Sequence, residues 1–328
     1  MAMEYYCQRA SVPGTLIIAE SSIISPSHGG VSNMPGMWNE KQVKGWKRVV
    51  DAVHARGCYM FCQLLAPGRA ADQATLQREA GHGILSSSPV PLTDLACVPN
   101  AMSEDQIQAA IVDYANAARN AIRAGFDGVE IHGGNGYLLD QFLQDTCNRR
   151  RDRWGGSIEN RARLGIEVAT AIANEIGAQK LGYRISPWSS FQGMRMADPI
   201  PQFTYLVQEL RDLKLGYLHV IESRVNNNVD IEKTEGIEFV LHTWGKDTPV
   251  LLAGGFTPES AEKADSDYPN NEVAVVFGRH FLANPDLPFR IQNGLGLTKY
   301  DRSSFYTPKS ATGYTDYPFS QEFLASKS

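Results

Sequence analysis

Seven short apolar runs recur along this chain, each followed by a polar or glycine-rich turn and then by a stretch with helical spacing. They are Thr15–Glu20, Tyr59–Leu64, Gly128–His132, Leu181–Ile185, Tyr217–Glu222, Pro249–Ala253 and Val273–Phe277. Runs of this length, apolar on both faces, read as parallel strands covered by helices. Between them, Val43, Trp46, Val50 and Val53 recur at helical spacing, with Asn39 as the N-cap and Gly57 as the stop. Ser103 with Gln106 makes a capping box ahead of the stripe Ile107, Ile111, Tyr114, Ala118 and Ile122. Further helices are expected over Ser157–Ile176, Pro201–Leu213, Ile237–Trp244, Pro258–Ala264 and Pro285–Asn293. Asp72 to Asn100 reads as a long polar insertion. No linker or composition shift divides the chain, so residues 1–328 are read as one domain. The alternation predicts an α/β fold of the TIM (β/α)8 type, which needs eight strands. Seven are found, so either the sheet is open or the first unit is absent from this chain.

Composition narrows the function classes. With 43% hydrophobic and 20% charged residues, the chain can bury a sizeable core. A net charge of −5 argues against nucleic acid or an anionic membrane as partner. The basic cluster Arg149 to Arg153 is broken by Asp152 and reads as a solvated loop; Asp152, Glu159 and Arg161 read as loop-organising ion pairs. Cys7, Cys58, Cys62, Cys97 and Cys147 show no zinc spacing, and Cys58 and Cys62 read as core residues. A scattered, odd set of cysteines suggests a reducing compartment. No apolar run approaches the roughly 18 residues of a membrane span, and no signal-peptide pattern opens the chain. A cytoplasmic protein is expected.

Barrel enzymes keep their chemistry in the loops that follow the strands. Here the third run ends in His132, and Gly133, Gly134 and Gly136 break regular structure around Asn135 and Tyr137. One imidazole, one carboxamide and one phenol can hold a carbonyl oxygen by two hydrogen bonds and offer a proton beside it. The same residues also fit a loop whose polar side chains only satisfy local backbone. Other strand ends carry Ser21, Gln63, Arg184 and Glu222. Gln63 offers an amide suited to a planar heterocycle. Arg184 suits an electron-rich ring edge or an ordinary ion pair. Gly254-Gly255 and Gly278-Arg279 end the last two runs and open helices, leaving bare backbone N–H groups for a phosphate. His28, His54, His82, His219, His242 and His280 have no paired ligand and read as structural or surface residues, and no metal site is expected.

These residues sit in a wider pattern. His132-Gly-Gly-Asn135-Gly-Tyr137-Leu-Leu-Asp-Gln-Phe is followed by Asn148-x-Arg-x-Asp152-x-x-Gly155-Gly-Ser-Ile-Glu-Asn-Arg161. Tyr183-Arg184-Ile-Ser-Pro187, Phe277-Gly-Arg-His-Phe281 and Tyr300-Asp-Arg-Ser-Ser-Phe305-Tyr306 follow in order. Together with Glu4-Tyr-Tyr-Cys-Gln-Arg-Ala10, they resemble the old yellow enzyme family along the whole chain. Cys62-Gln63, Gly68-Arg-Ala-Ala-Asp72 and Pro285-Asp-Leu-Pro-Phe289 are most similar to its fungal ergot-alkaloid branch, which acts on chanoclavine-I aldehyde.

The resemblance implies an oxidoreductase with FMN lying across the strand ends. Ser21, Gln63 and Arg184 would meet the ring system, and Gly254, Gly255, Gly278 and Arg279 the phosphate. NADPH, or NADH, would supply hydride. His132 and Asn135 would bind the oxygen of an α,β-unsaturated aldehyde or ketone, Tyr137 would protonate Cα, and Tyr306 would close the substrate mouth. The partner is then a small molecule, and the protein a monomer or homodimer. Two departures from the family pattern stand out. The N-terminal hairpin and first strand are absent from this chain, and Leu65 stands where Trp is usual. Two alternatives follow: a redox-neutral isomerase or cyclisation aid on the same scaffold, and a truncated, non-catalytic remnant.

Overall fold

In a computed structural model the expected alternation forms a parallel sheet with helices on its outer face. The structure describes residues 1–223, 225–226, 229–230 and 234–327. The strands are β1 (Leu16–Ile18), β2 (Ser22–Ile23), β3 (Tyr59–Leu65), β4 (Gly128–His132), β5 (Leu181–Ile185), β6 (Tyr217–Ile221), β7 (Val250–Ala253) and β8 (Val273–Val275). Hydrogen bonding runs in the order β1–β3–β4–β5–β6–β7–β8, and β2 pairs the C-terminal end of β3. Neighbours in that order are parallel throughout. Each expected run therefore contains a strand: Gly128–His132 and Leu181–Ile185 match, Tyr59–Leu65 is one residue longer, and the other four are one to three residues shorter.

The helices are α1 (Ala2–Arg9), α2 (Glu40–His54), α3 (Gln73–Ala80), α4 (Glu104–Arg123), α5 (Leu138–Leu143), α6 (Ile158–Ile176), α7 (Pro199–Asp212), α8 (Glu238–Trp244), α9 (Pro258–Asp267), α10 (Arg279–Ala283), α11 (Leu287–Gln292) and α12 (Gln321–Ala325). Helix α2 starts where Asn39 and Gln42 exchange side-chain and backbone hydrogen bonds, and α4 starts on the same reciprocal box between Ser103 and Gln106. Val43, Trp46, Val50 and Val53 of α2 are buried, as their spacing requires. Each fully buried Val or Leu of such a stripe contributes about 1.5–3 kcal/mol. Outward-facing strand residues (Val129, Ile131, Leu181, Tyr183, Leu218 and Val220) meet these helices in one continuous core.

Among the helices that go beyond the sequence expectation are α3 and α5. The polar insertion contains α3, capped by the Asp72 carboxylate on Thr75 N–H at 2.8 Å and stopped by Gly81 at φ 72°. Helix α5 is buried on every side, so it has no apolar stripe to read. Arg150 does pair with Asp152, but it also donates to the carbonyls of Ser87 and Met102. Arg161 forms no ion pair with Glu159 or Asp152; it donates to Gln202 Oε1 and the Gly156 carbonyl, because helix packing brings an amide within reach first. Cys58 and Cys62 are buried as expected. Among the described residues no helix is long and apolar enough to cross a membrane, and no group of three or more His, Cys, Asp or Glu is placed to hold a metal.

Candidate active site

Alternation along the strands puts one polar set on the inner face of the sheet. Register pairs Gln63 of β3 with Glu130 of β4, His132 of β4 with Arg184 of β5, and Arg184 with His219 of β6. Residues two apart on a strand share a face, so Glu130 and His132 both point inward while Val129 and Ile131 point to the helices. Barrel interiors are ordinarily filled by branched apolar side chains. Here the interior near the C-terminal strand ends is ionic and hydrogen-bonded.

The turn after β4 is rigidly held. Gly133 N–H donates to the Arg184 carbonyl at 2.9 Å, and a Cβ at Gly133 would lie 2.2 Å from the Tyr183 ring. Asn135 takes a φ of 54°, a region costly for most residues and tolerated by Asn. Its N–H donates to Ser186 Oγ at 2.7 Å. Gly136 N–H donates to Asp140 Oδ2 at 2.8 Å, and Gln141 Nε2 donates to the Gly136 carbonyl at 2.7 Å. Tyr137 then caps α5.

This turn sets His132 edge-to-face against Tyr137, with ring centroids 4.9 Å apart and planes at 86°. His132 Nδ1 faces Gly134 N–H at 3.4 Å. Burial, and then the charge of Arg184, hold the imidazole down to about 3, so it is neutral at ordinary pH and carries a single N–H, on Nδ1 or Nε2. Arg184 Nη1 approaches that Nε2 at 3.5 Å, while Arg184 Nε is buried without a partner among the described residues. Burial holds the Tyr137 phenol above its ordinary value, with Tyr306 reinforcing the shift and Gln192 and Arg184 opposing it. A phenol kept protonated beside a neutral imidazole is a donor pair. Asn135, half-buried, adds a carboxamide on the same turn.

The remaining expected residues are arranged around this turn. Gln63 is clamped: Ser21 Oγ donates to its Oε1, and its Nε2 donates to Glu130 Oε1 at 2.6 Å. Gly254 and Gly255 take φ values of 119° and 73°, and Gly254 passes close to the Glu222 backbone, where a Cβ would meet its carbonyl oxygen at 3.0 Å. Pairing of β7 with β8 brings these glycines to the same end of adjacent strands as Gly278, where a Cβ would meet nothing within 4 Å. Arg279 donates to Tyr300 OH at 2.9 Å and lies 5.4 Å from that ring's centroid. Tyr306 is 98% exposed and touches Phe305 edge-on. Leu65 is buried at the end of β3. A separate surface groove of about 620 Å³ lies at Ser88, Met102 and Arg149–Asp152, away from the strand ends.

These residues fit a planar heterocycle with an anionic tail. The buried, unpartnered Arg184 Nε and the clamped Gln63 amide supply polar edges, and the positive-φ glycines supply bare backbone. Sequence reasoning passed over Glu130, Asp140 and Ser186. For Glu130 the signal was there: a carboxylate inside an apolar run, two residues before His132.

Comparisons with known proteins agree with this chemistry. Residues 1–298 match the NADH:flavin oxidoreductase / NADH oxidase family model. The chain is 52% identical over 321 residues to chanoclavine-I aldehyde reductase fgaOx3 of Penicillium roqueforti, covering 98% of this chain and 87% of that protein. It is 48% identical over 334 residues to a protein of Epichloe festucae var. lolii named probable inactive reductase easA, covering 98% and 86%. The crystal structure of old yellow enzyme from a Pichia species superposes with a TM-score of 0.89 at 38% identity, covering 97% of this chain and 84% of that one. The chain therefore belongs to the NADH:flavin oxidoreductase / NADH oxidase family, with the TIM-barrel fold of the old yellow enzymes and their use of FMN and a reduced nicotinamide.

Proposed function

We propose that this protein is an ene-reductase that saturates the C=C bond of an α,β-unsaturated aldehyde or ketone, with NADPH as reductant. FMN, when bound, would supply the hydride chemistry between the nicotinamide and the substrate Cβ. Gln63 and Arg184 would hold its ring system, Ser21 would fix Gln63, and Gly254, Gly255, Gly278 and Arg279 would receive its phosphate. His132 Nε2–H and the Asn135 carboxamide grip the substrate oxygen and stabilise the negative charge that develops there. The Tyr137 phenol gives its proton to Cα. Tyr306, exposed beyond Phe305, would close the substrate mouth. The observation that carries this reading is the neutral His132 imidazole set edge-on to a protonated Tyr137 on one rigid turn.

The likeness to a chanoclavine-I aldehyde reductase favours a bulky enal from fungal secondary metabolism as substrate. The second reading is redox-neutral isomerisation or assisted cyclisation on the same site, and one relative is named only as a probable inactive reductase. NADPH consumption by the FMN-loaded protein with a simple enal separates the two. Steady consumption that is lost in the His132→Ala/Asn135→Ala double variant supports reduction. Product formed without net NADPH use refutes it in favour of the isomerase. Protein that stays colourless after incubation with FMN refutes both.

A further inference from the structure

We propose that Glu130 is a positioning residue: its buried carboxylate orients the Gln63 amide and sets the charge felt at the flavin site. The inference rests on the placement of FMN against Gln63 and Arg184.

Glu130 is 0% exposed at the centre of β4 and accepts three hydrogen bonds: from Gln63 Nε2 at 2.6 Å, His219 Nδ1 at 2.8 Å and Tyr217 OH at 3.0 Å. Donors come from β3 on one side and β6 on the other, so the carboxylate ties together strands that are not neighbours across the barrel interior. The groups facing it are Gln63 of β3, His132 of its own strand, Arg184 of β5, and Tyr217 and His219 of β6. His219 gives its Nδ1–H to Glu130, and its Nε2 is buried with no partner among the described residues. Burial disfavours the charged form of that ring, while Glu130 favours it. Burial works against the Glu130 carboxylate, yet His219, and after it Arg184 and the Gln63 amide, hold it down to about 2.

Two consequences follow from this geometry. An anion can accept from an amide N–H but cannot donate to an amide oxygen, so Glu130 dictates which end of Gln63 faces it. Ser21 holds the other end, leaving one N–H and one lone pair of Gln63 in a fixed plane. Secondly, the carboxylate offsets the Arg184 charge in a water-poor interior, where such terms act more strongly than in water. Removing the negative charge makes the site more positive and favours the electron-rich, reduced flavin. Stripping a donor from the carboxylate does the reverse, because less of its charge is neutralised locally.

The experiment measures the midpoint potential of bound FMN spectroscopically, and FMN affinity by fluorescence, in wild type, Glu130→Gln, Tyr217→Phe and Arg184→Gln. Glu130→Gln is expected to raise the potential by about 30 mV, corresponding to a roughly tenfold shift in favour of reduced FMN for a two-electron couple. Its affinity for oxidised FMN should fall as the Gln63 amide loses its orientation. Tyr217→Phe is expected to lower the potential. A folded, FMN-loaded Glu130→Gln protein with the wild-type potential overturns the inference. If that variant does not fold, Tyr217→Phe decides alone, and an unmoved or raised potential overturns it. Unchanged FMN affinity in Arg184→Gln refutes the placement of the flavin itself. Weakened affinity there, with Glu130→Gln at the wild-type potential, refutes only the role of Glu130.

Discussion

Replacing Asp140 with Asn should change the pH dependence of stability in a way that isolates one buried carboxyl group. Asp140 is 0% exposed in α5, accepting from Gly136 N–H at 2.8 Å and from Gln144 Nε2 at 2.7 Å. Burial pushes its pKa up from 3.8 to about 6, against the pull of those two donors and of Arg69. The native state therefore holds this proton more tightly than the unfolded chain does. Stability from this group is complete below about pH 4 and falls as pH rises toward about 6, after which it is flat. Two pKa units correspond to about 3 kcal/mol. Asn carries no charge at any pH, so the difference between variant and wild type removes every other titrating group. Asn also presents N–H where a lone pair was used. Gln144 cannot simply flip to meet it, since its Oε1 already accepts from Met196 N–H at 2.9 Å. That mismatch costs about 1–3 kcal/mol at all pH values. Urea unfolding of both proteins at equal FMN concentration, near pH 4.5 and near pH 7.5, should show the difference moving by about 2 kcal/mol in favour of Asn at the higher pH. A difference that is the same at both pH values would show that the carboxyl is not held above its ordinary range, and the burial argument would fail.

Other expectations are simpler to read. Tyr137→Phe keeps the ring against His132 and removes the proton, so enal reduction should slow by about 10²–10⁴-fold while flavin reduction by NADPH is little changed. Stopped-flow absorbance of the two half-reactions checks this, and an unaltered oxidative half-reaction would show that another acid serves. Gly134→Ala would place a Cβ 2.7 Å from Ser186 Oγ and 2.9 Å from the Ser186 backbone N, so the turn must shift. It should lower kcat far more than it weakens FMN binding; equal loss of both would mean that the turn does not act alone. Because His132 is held down to about 3, the pH profile of kcat/KM should show no inflection near the ordinary histidine value of about 6.5. An inflection there that vanishes in His132→Asn would refute the neutral-donor assignment.

Sequence alone determined the alternation of strands and helices, because parallel buried strands and amphipathic helices leave local signatures of period and capping. Gly128–His132 and Leu181–Ile185 were legible to the residue, and so were the N-cap at Asn39 and the box at Ser103. So was the cluster of His132, Asn135 and Tyr137, which lie close in the chain and need no tertiary contact to be seen together. Helix α5 was not, since burial on all sides erases periodicity. Nor was the work of Glu130, whose donors Gln63 and His219 lie 67 and 89 residues away in sequence. A carboxylate in an apolar run reads as an anomaly until its partners are known, and only strand register supplies them. The neutral state of His132 and the raised proton affinity of Asp140 were likewise decided by tertiary structure. Both depend on how much water and which charges the folded barrel leaves beside them, and neither quantity exists in the chain before it closes.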